Sequence, residues 1–424
     1  MSDRIVIFGY SQRDIGVADG LVDFLAGNGY QPVTVTMDSP RIGEDLKAAL
    51  SVTPCAMICV GWHAVTGISL GGMTLFTAAK RFKIPLIYWN IDHPVMMRRF
   101  VPYNDPELIV MNSTISDFGF WRAHFSRDQL TSWTQGCGVS RRQADEAGVD
   151  MDRYEDREIW LYAPFNVNWN SRSLEEVEEV IANLPAGLRR QVNAAIEAAR
   201  TELTRPIAET VQSVFEAHGL YFQMPTLCDL IRLVIYHVQL WRRHQIVEAL
   251  ADFPALIDGE VPEALARRVA AKGHARIVTE AIHERTLARM RNAKLVLSLN
   301  FDTRGLHSRV LNAMYSGAVP FIERNADYSE LFGETGTVAF YDWSEGGIAR
   351  SLSILMENPE GLARTARAAH AFIRREGSID YRFDRFIDLI ESTRLRGLEL
   401  THMSRAVTTS AGVQSQSELR ARTG

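Results

Sequence analysis

Four cysteines in 424 residues (Cys55, Cys59, Cys137 and Cys228) are too few and too scattered for a disulfide framework. Cys55 and Cys59 fall in an apolar run, where a spacing of four is not a zinc pattern, so they read as buried free thiols in a reducing cytoplasm. No stretch reaches the roughly 18 uninterrupted apolar residues of a membrane span. The opening MSDRIVIFGY is a charge followed by a short strand-like run, unlike a signal peptide. Positive charge is not in excess either: 46 Lys and Arg against 51 Asp and Glu give a net charge of -5, which argues against a dedicated nucleic-acid binder. Gly9-Tyr-Ser-Gln-Arg-Asp-Ile-Gly16 lacks the G-x-G-x-x-G spacing that a dinucleotide-dependent oxidoreductase needs after its first strand. There is no repeat at 20–50 residues.

What is present is the balance of a globular protein, 46% hydrophobic and 23% charged, in a chain long enough for two or three domains. Through about residue 165, short apolar runs alternate with helical spacing: RIVIFG, PVTVTM, CAMICV, IPLIYWN and IWLYAPF are the clearest strands. Such runs imply a parallel sheet covered on both faces. From Ser173, which opens a capping box with Glu176, the sequence is helical almost to Leu250. Its basic residues Arg242, Arg243 and His244 read as a solvated face. Alternation resumes near Pro254, and the last stretch, SRAVTTSAGVQSQSELRARTG, reads as a disordered tail. The expected division is an N-terminal Rossmann-like lobe (1–170), a helical insertion or linker (171–250), a C-terminal Rossmann-like lobe (251–400) and a flexible tail (401–424). In paired α/β lobes a ligand is expected in the cleft between them, beyond the carboxyl ends of the strands.

The richest segment is KLVLSLNFDTRGLHSRVLNAMYSGAVPFIE, Lys294–Glu323. It reads as a buried strand, a polar loop, a helix, Gly317 and a second buried strand. Arg304, His307 and Arg309 gather where that helix begins, with Ser308 as a candidate N-cap. A helix start presents unpaired N–H groups and partial positive charge, and arginine adds a fork of donors matched to phosphate oxygens. Gly317, among small residues, ends the helix.

The run R-x-L-N-A-M-Y-S-G-A-V-P-F-I-E resembles the donor-site segment of GT-B glycosyltransferases of the group 1 type, particularly the spore-maturation (CgeB-like) branch. Asn300, Arg309, Gly317 and Glu323 follow that family's order. The resemblance implies two Rossmann-like lobes, with a nucleotide-sugar held mainly by the second through Asn300, Arg304, His307, Ser308, Arg309, Asn312, Gly317 and Glu323. It covers about 30 residues closely and does not extend to the helical stretch. Many group 1 enzymes carry two glutamates eight positions apart, and here those positions hold Arg304 and Asn312.

In the first lobe, polar clusters follow three strands: Gly9-Tyr10-Ser11, Gly61-Trp62-His63 and Asn90-Ile91-Asp92-His93-Pro94. Asp92-His93-Pro94 resembles an Asp-x-Pro element of the same branch, and Asp92 or His93 is the candidate base for an acceptor hydroxyl. Tyr10, His63 and Glu330 are further candidates, with His63 read first as a structural histidine. No Asp-x-Asp pair closes a strand, so no metal and no cofactor is expected beyond the nucleotide-sugar substrate. The acceptor stays open, with a protein among the choices. A sugar-nucleotide epimerase or a non-catalytic scaffold of the same shape is the alternative.

Overall fold

A computed structural model describes residues 3–9, 12–61, 69–70, 72–91, 93–97, 105, 107–113, 115–125, 129–133, 148–169, 172–202, 205–279, 283–299, 307–376 and 383–393. Within them the chain forms two six-stranded sheets, each parallel throughout, and one small hairpin.

The first sheet has the order β2-β1-β3-β6-β7-β8. Its strands are β1 (Arg4–Gly9), β2 (Gln31–Thr36), β3 (Ala56–Val60), β6 (Leu86–Asn90), β7 (Ile109–Asn112) and β8 (Thr131–Trp133), while β4 (Ser69–Leu70) and β5 (Met73–Thr74) make the hairpin. AMICV, LIYWN and IVMN are buried at every position, as strands covered by helices on both faces must be. β2, QPVTVT, is half exposed and carries Pro32; it pairs on one side only, which is where a residue without an N–H is tolerated.

The second sheet has the order β11-β10-β9-β12-β13-β14, built from β9 (Ile159–Pro164), β10 (Ala255–Asp258), β11 (Arg276–Val278), β12 (Ala293–Ser298), β13 (Val319–Glu323) and β14 (Ala339–Tyr341). It grows outward from β9 in one direction through β10 and β11, then restarts on the other side with β12, so the topological switch point lies between β9 and β12. The two Rossmann-like lobes expected from sequence are both present.

The boundary between them is not where the sequence pattern put it. IWLYAPF was read as the last strand of the first lobe, yet Leu161 pairs with Leu295 of β12 and with Ala255 of β10, at the centre of the second sheet. Parallel neighbours require a crossover, so the helical stretch is the β9-to-β10 connection within the second sheet and not the chain's passage from one lobe to the other. It comprises helices Leu174–Ala182, Ala186–Thr201, Ile207–Ala217 and Met224–Leu250. Ser173 caps the first, accepting from the Glu176 amide while the Glu176 carboxylate accepts from the Ser173 amide. Although it belongs to the second lobe's sheet, this crossover packs on the first lobe: Val177, Val192, Val211 and Val234 share a core with Val6, Tyr88 and Trp121.

A second correction concerns the C-terminal end. Helix 383–393 was assigned to the second lobe, but Phe383 and Phe386 stand edge-on to Trp89 at 5.9 and 5.1 Å, and Phe383 meets Phe24 at 5.8 Å. Tyr30 Oη donates to Glu391 Oε1 at 2.7 Å. The chain thus returns to the first lobe at its end. The tail assigned to 401–424 lies outside the described residues. Among the described residues no helix is long and apolar enough to cross a membrane.

Candidate active site

β12 delivers the chain into the segment at 300–306, which lies outside the described residues together with Asn300 and Arg304. Description resumes at His307, the N-cap of helix Ser308–Tyr315. Its Nδ1 accepts from the Arg309 amide at 3.0 Å, so the neutral ring carries its proton on Nε2. The His307 amide donates to Tyr328 Oη at 3.2 Å, and the Val310 amide donates to the His307 carbonyl at 3.0 Å. The cap is therefore His307 and not Ser308, which is the first helical residue, and two of the first-turn amides are already engaged. Arg309 is half-buried beside them. The helix opens at the carboxyl side of a strand flanking the switch point, where ligands of open α/β sheets bind.

Of the other expected donor residues, Gly317 is remote from this helix start. Gly317 ends the helix at its far end, about 12 Å along the axis from its start. There it adopts φ of 68°, and its carbonyl accepts from Arg157 Nη1 at 2.8 Å. It shapes the turn into β13 and does not face a ligand at the helix start. Asn312 is buried one turn in. Glu323, at the carboxyl end of β13, is 2% exposed. Its Oε2 accepts from Trp343 Nε1 at 2.8 Å and lies 3.6 Å from Arg242 Nη1. The carboxylate is enclosed by protein groups. Glu330 is exposed on helix Ala326–Phe332.

Arg242 and Arg243 overturn the reading of a solvated face. Arg242 is 0% exposed, and its guanidinium lies 5.2 Å from the Trp343 ring. Arg243 is half-buried; its Nη1 donates to the Asn166 carbonyl just beyond β9 at 2.5 Å, and it lies 5.9 and 5.7 Å from the Phe165 and Trp169 rings. Burial and then the neighbouring Arg309 charge lower its pKa, although arginine stays cationic. No local pattern marks these two residues in the sequence. The one hint is that Leu, Ile and Val continue on either side of the charges, as they would along a helix buried throughout.

In the first lobe, Tyr10, His63 and Asp92 lie outside the described residues. His93 is buried and its Nδ1 accepts from the Val95 amide at 3.3 Å, starting helix Pro94–Met97; its Nε2 lies 3.9 Å from Asp117 Oδ1. Burial, with the His124 charge second, pushes its pKa down to about 3, so the ring is neutral at physiological pH. Sequence reading missed the amide chain beside it. Tyr88 Oη donates to Asn90 Oδ1 (2.9 Å), Asn90 Nδ2 to Asn112 Oδ1 (3.2 Å), and Asn112 Nδ2 to Thr131 Oγ1 (3.2 Å). The signal was two neighbouring apolar strands that both end in asparagine. A groove of about 270 Å³ lined by Asp150, Arg153, Asp156, Arg157, Arg291 and Asn292 lies at the amino ends of β9 and β12, the opposite edge of the sheet from this site.

Residues 242–388 match a family described as "Glycosyl transferase-like", a stretch that begins on the long helix and takes in the second-lobe candidates from Arg242 to Glu330 but none of those in the first lobe. The expectation of a glycosyltransferase-type second lobe holds over that stretch; nothing in the match singles out the spore-maturation branch. Among solved structures, HepE of Anabaena in complex with UDP and glucose is similar at 10% identity and a TM-score of 0.49, over 92% of this chain and 99% of that one. A glycosyltransferase from Rickettsia africae is similar at 9% identity and a TM-score of 0.49, over 92% and 98%. AviGT4, a glycosyltransferase involved in avilamycin A biosynthesis, is similar at 13% identity and 0.44, over 92% and 97%. No curated protein matches the sequence.

Proposed function

We propose that this protein transfers a sugar from a nucleoside diphosphate donor to an acceptor hydroxyl without a metal ion. The observation that carries the reading is the helix start capped by the neutral His307 and carrying the Arg309 cation, opening beside the switch point of the second sheet. In the reaction the bond between the sugar's anomeric carbon and the diphosphate breaks and the bond to the acceptor oxygen forms. Negative charge grows on the departing diphosphate, and donors fixed in advance stabilise it most where water is excluded. Arg309, the His307 Nε2–H and Arg304 from the adjoining loop fill that role in our reading, the one a divalent cation takes in other enzymes. If configuration inverts, the acceptor proton needs a base. His93 is enclosed and very weakly basic, so the proposal assigns that role to Asp92.

A second reading has specific support. Asn312 stands where the family has a glutamate, and the Glu323 carboxylate is enclosed by Arg242 and Trp343, which weakens the grip on sugar hydroxyls. This favours an epimerase or a sugar-nucleotide-binding scaffold.

One experiment separates the readings. The protein is titrated calorimetrically with UDP-, GDP-, dTDP- and CMP-sugars, and the products with candidate acceptors are weighed by mass spectrometry. Transfer adds a sugar increment to an acceptor, epimerisation leaves the donor mass unchanged, and a scaffold does neither. Arg309→Ala is expected to weaken donor binding about ten-fold or more, the loss of one charge-assisted contact. Absence of binding to every donor overturns the proposal.

A further inference from the structure

Helix Met224–Leu250 changes partners partway along its length. Residues up to Leu240 pack in the core shared with the first lobe, whereas Ile246, Val247 and Leu250 pack in the core of the second. A helix that leaves one apolar core for another must cross the boundary between them, and the sequence at the crossing is Trp241-Arg242-Arg243-His244. Successive residues point about 100° apart. Arg242 turns inward to Glu323, while Arg243 turns toward the carboxyl end of β9, where it donates to the Asn166 carbonyl.

That carbonyl lies two residues beyond β9, and β9 is the neighbour of β12 at the switch point. Arg243 and the His307–Arg309 turn therefore approach the same strand ends, one from the crossover helix and one from the loop after β12. We propose that Arg243 is a binding residue of the candidate site and contacts the diphosphate of the donor together with Arg309. This deepens the reading under Proposed function and rests on it.

Three observations carry the assignment. Arg243 is half-buried, whereas Arg242 has no exposed surface. Its Nε is buried and makes no hydrogen bond, a donor that a phosphate oxygen would satisfy. The charge it feels most strongly is another cation, Arg309. A second cation nearby favours an anion over any further cation at that place. The crossover helix thus supplies part of the donor site as well as packing on the first lobe.

The test measures binding of UDP, GDP and inorganic pyrophosphate, with uridine and guanosine as uncharged controls, to wild type, Arg243→Gln and Arg309→Ala at several salt concentrations. Arg243→Gln is expected to lose about ten-fold or more in affinity for pyrophosphate and for the bound nucleotide. Its salt dependence should be shallower, and nucleoside binding unchanged. A purely structural role would not change the salt dependence. If Arg309→Ala loses affinity while Arg243→Gln binds as wild type does, the inference fails and the functional reading stands. If wild type binds none of the phosphates, both fail. Should Arg243→Gln melt early, Arg243→Lys keeps the stem and charge without the fork. A loss of about three-fold is then expected, and unchanged affinity overturns the inference.

Discussion

At position 242 a guanidinium with no access to water faces a single carboxylate, Glu323, at 3.6 Å, and none of its nitrogens completes a hydrogen bond. Desolvating both charges costs several kcal/mol per ion, so the pair is not a source of stability merely because it exists. What it does is fix the long helix against the end of β13. Removing one partner leaves the other charge stranded: Arg242→Ala is expected to cost about 3–5 kcal/mol. Arg242→Met combined with Glu323→Gln should recover most of that loss. Urea denaturation checks this, with a lower midpoint and unchanged slope for the single variant. Sequence reading took Arg242 for surface because it had the residue's type without its neighbours. Burial of a charge is decided by what packs over it, and here that is Trp343 from a distant strand end.

At the scale of elements, the strand Ala293–Ser298, the helix Ser308–Tyr315 and the strand Val319–Glu323 were legible almost to the residue. Their signals are local: short apolar runs, amphipathic spacing and a glycine. Pairing is different. β9 carries the same apolar texture as strands of either lobe, and only its hydrogen bonds to β10 and β12 place it in the second sheet. A crossover of about 90 residues hides that relation from any local pattern, since a parallel βαβ connection more often holds one helix than four. Gly317 offers a test of what the helix needs at each end. With φ of 68°, a side chain there is strained, and a Cβ would come within 2.5 Å of Met151 Sδ and 2.7 Å of Arg157 Nη2. Gly317→Ala is expected to lower stability by roughly 2–4 kcal/mol, combining backbone strain with overpacking. Nucleotide affinity should hold, because the turn is a helix length from His307. Thermal melting and calorimetry on the same sample check both halves, and lost affinity in a folded variant would place Gly317 back in the site.

Across the whole molecule, the lobes are joined by the long helix and by helix 383–393, whose aromatic residues close over Trp89. The long helix brings titratable groups into the packing: His237 is buried on it, its Nε2 3.5 Å from Glu178, and the His93 turn starts helix Pro94–Met97, which packs against it. Burial, then the Arg200 charge, pushes His237 down to about 4, and His93 stands at about 3. Both folded values lie below the ordinary 6.5, so as pH falls the unfolded chain takes up protons first. Their contribution to stability is complete above pH 6.5 and drains away between there and pH 3–4. Linkage puts the loss at about 2 kcal/mol per histidine by pH 5. Stability should therefore be flat from pH 8 to 7 and fall steeply below 6.5. Urea midpoints at pH 8, 7, 6 and 5 measure the slope, and His237→Gln should make it shallower, with His93, His124 and His244 supplying the rest. An unchanged slope in that variant would mean that His237 takes up its proton without unfolding, and that the helix joining the lobes opens to water locally.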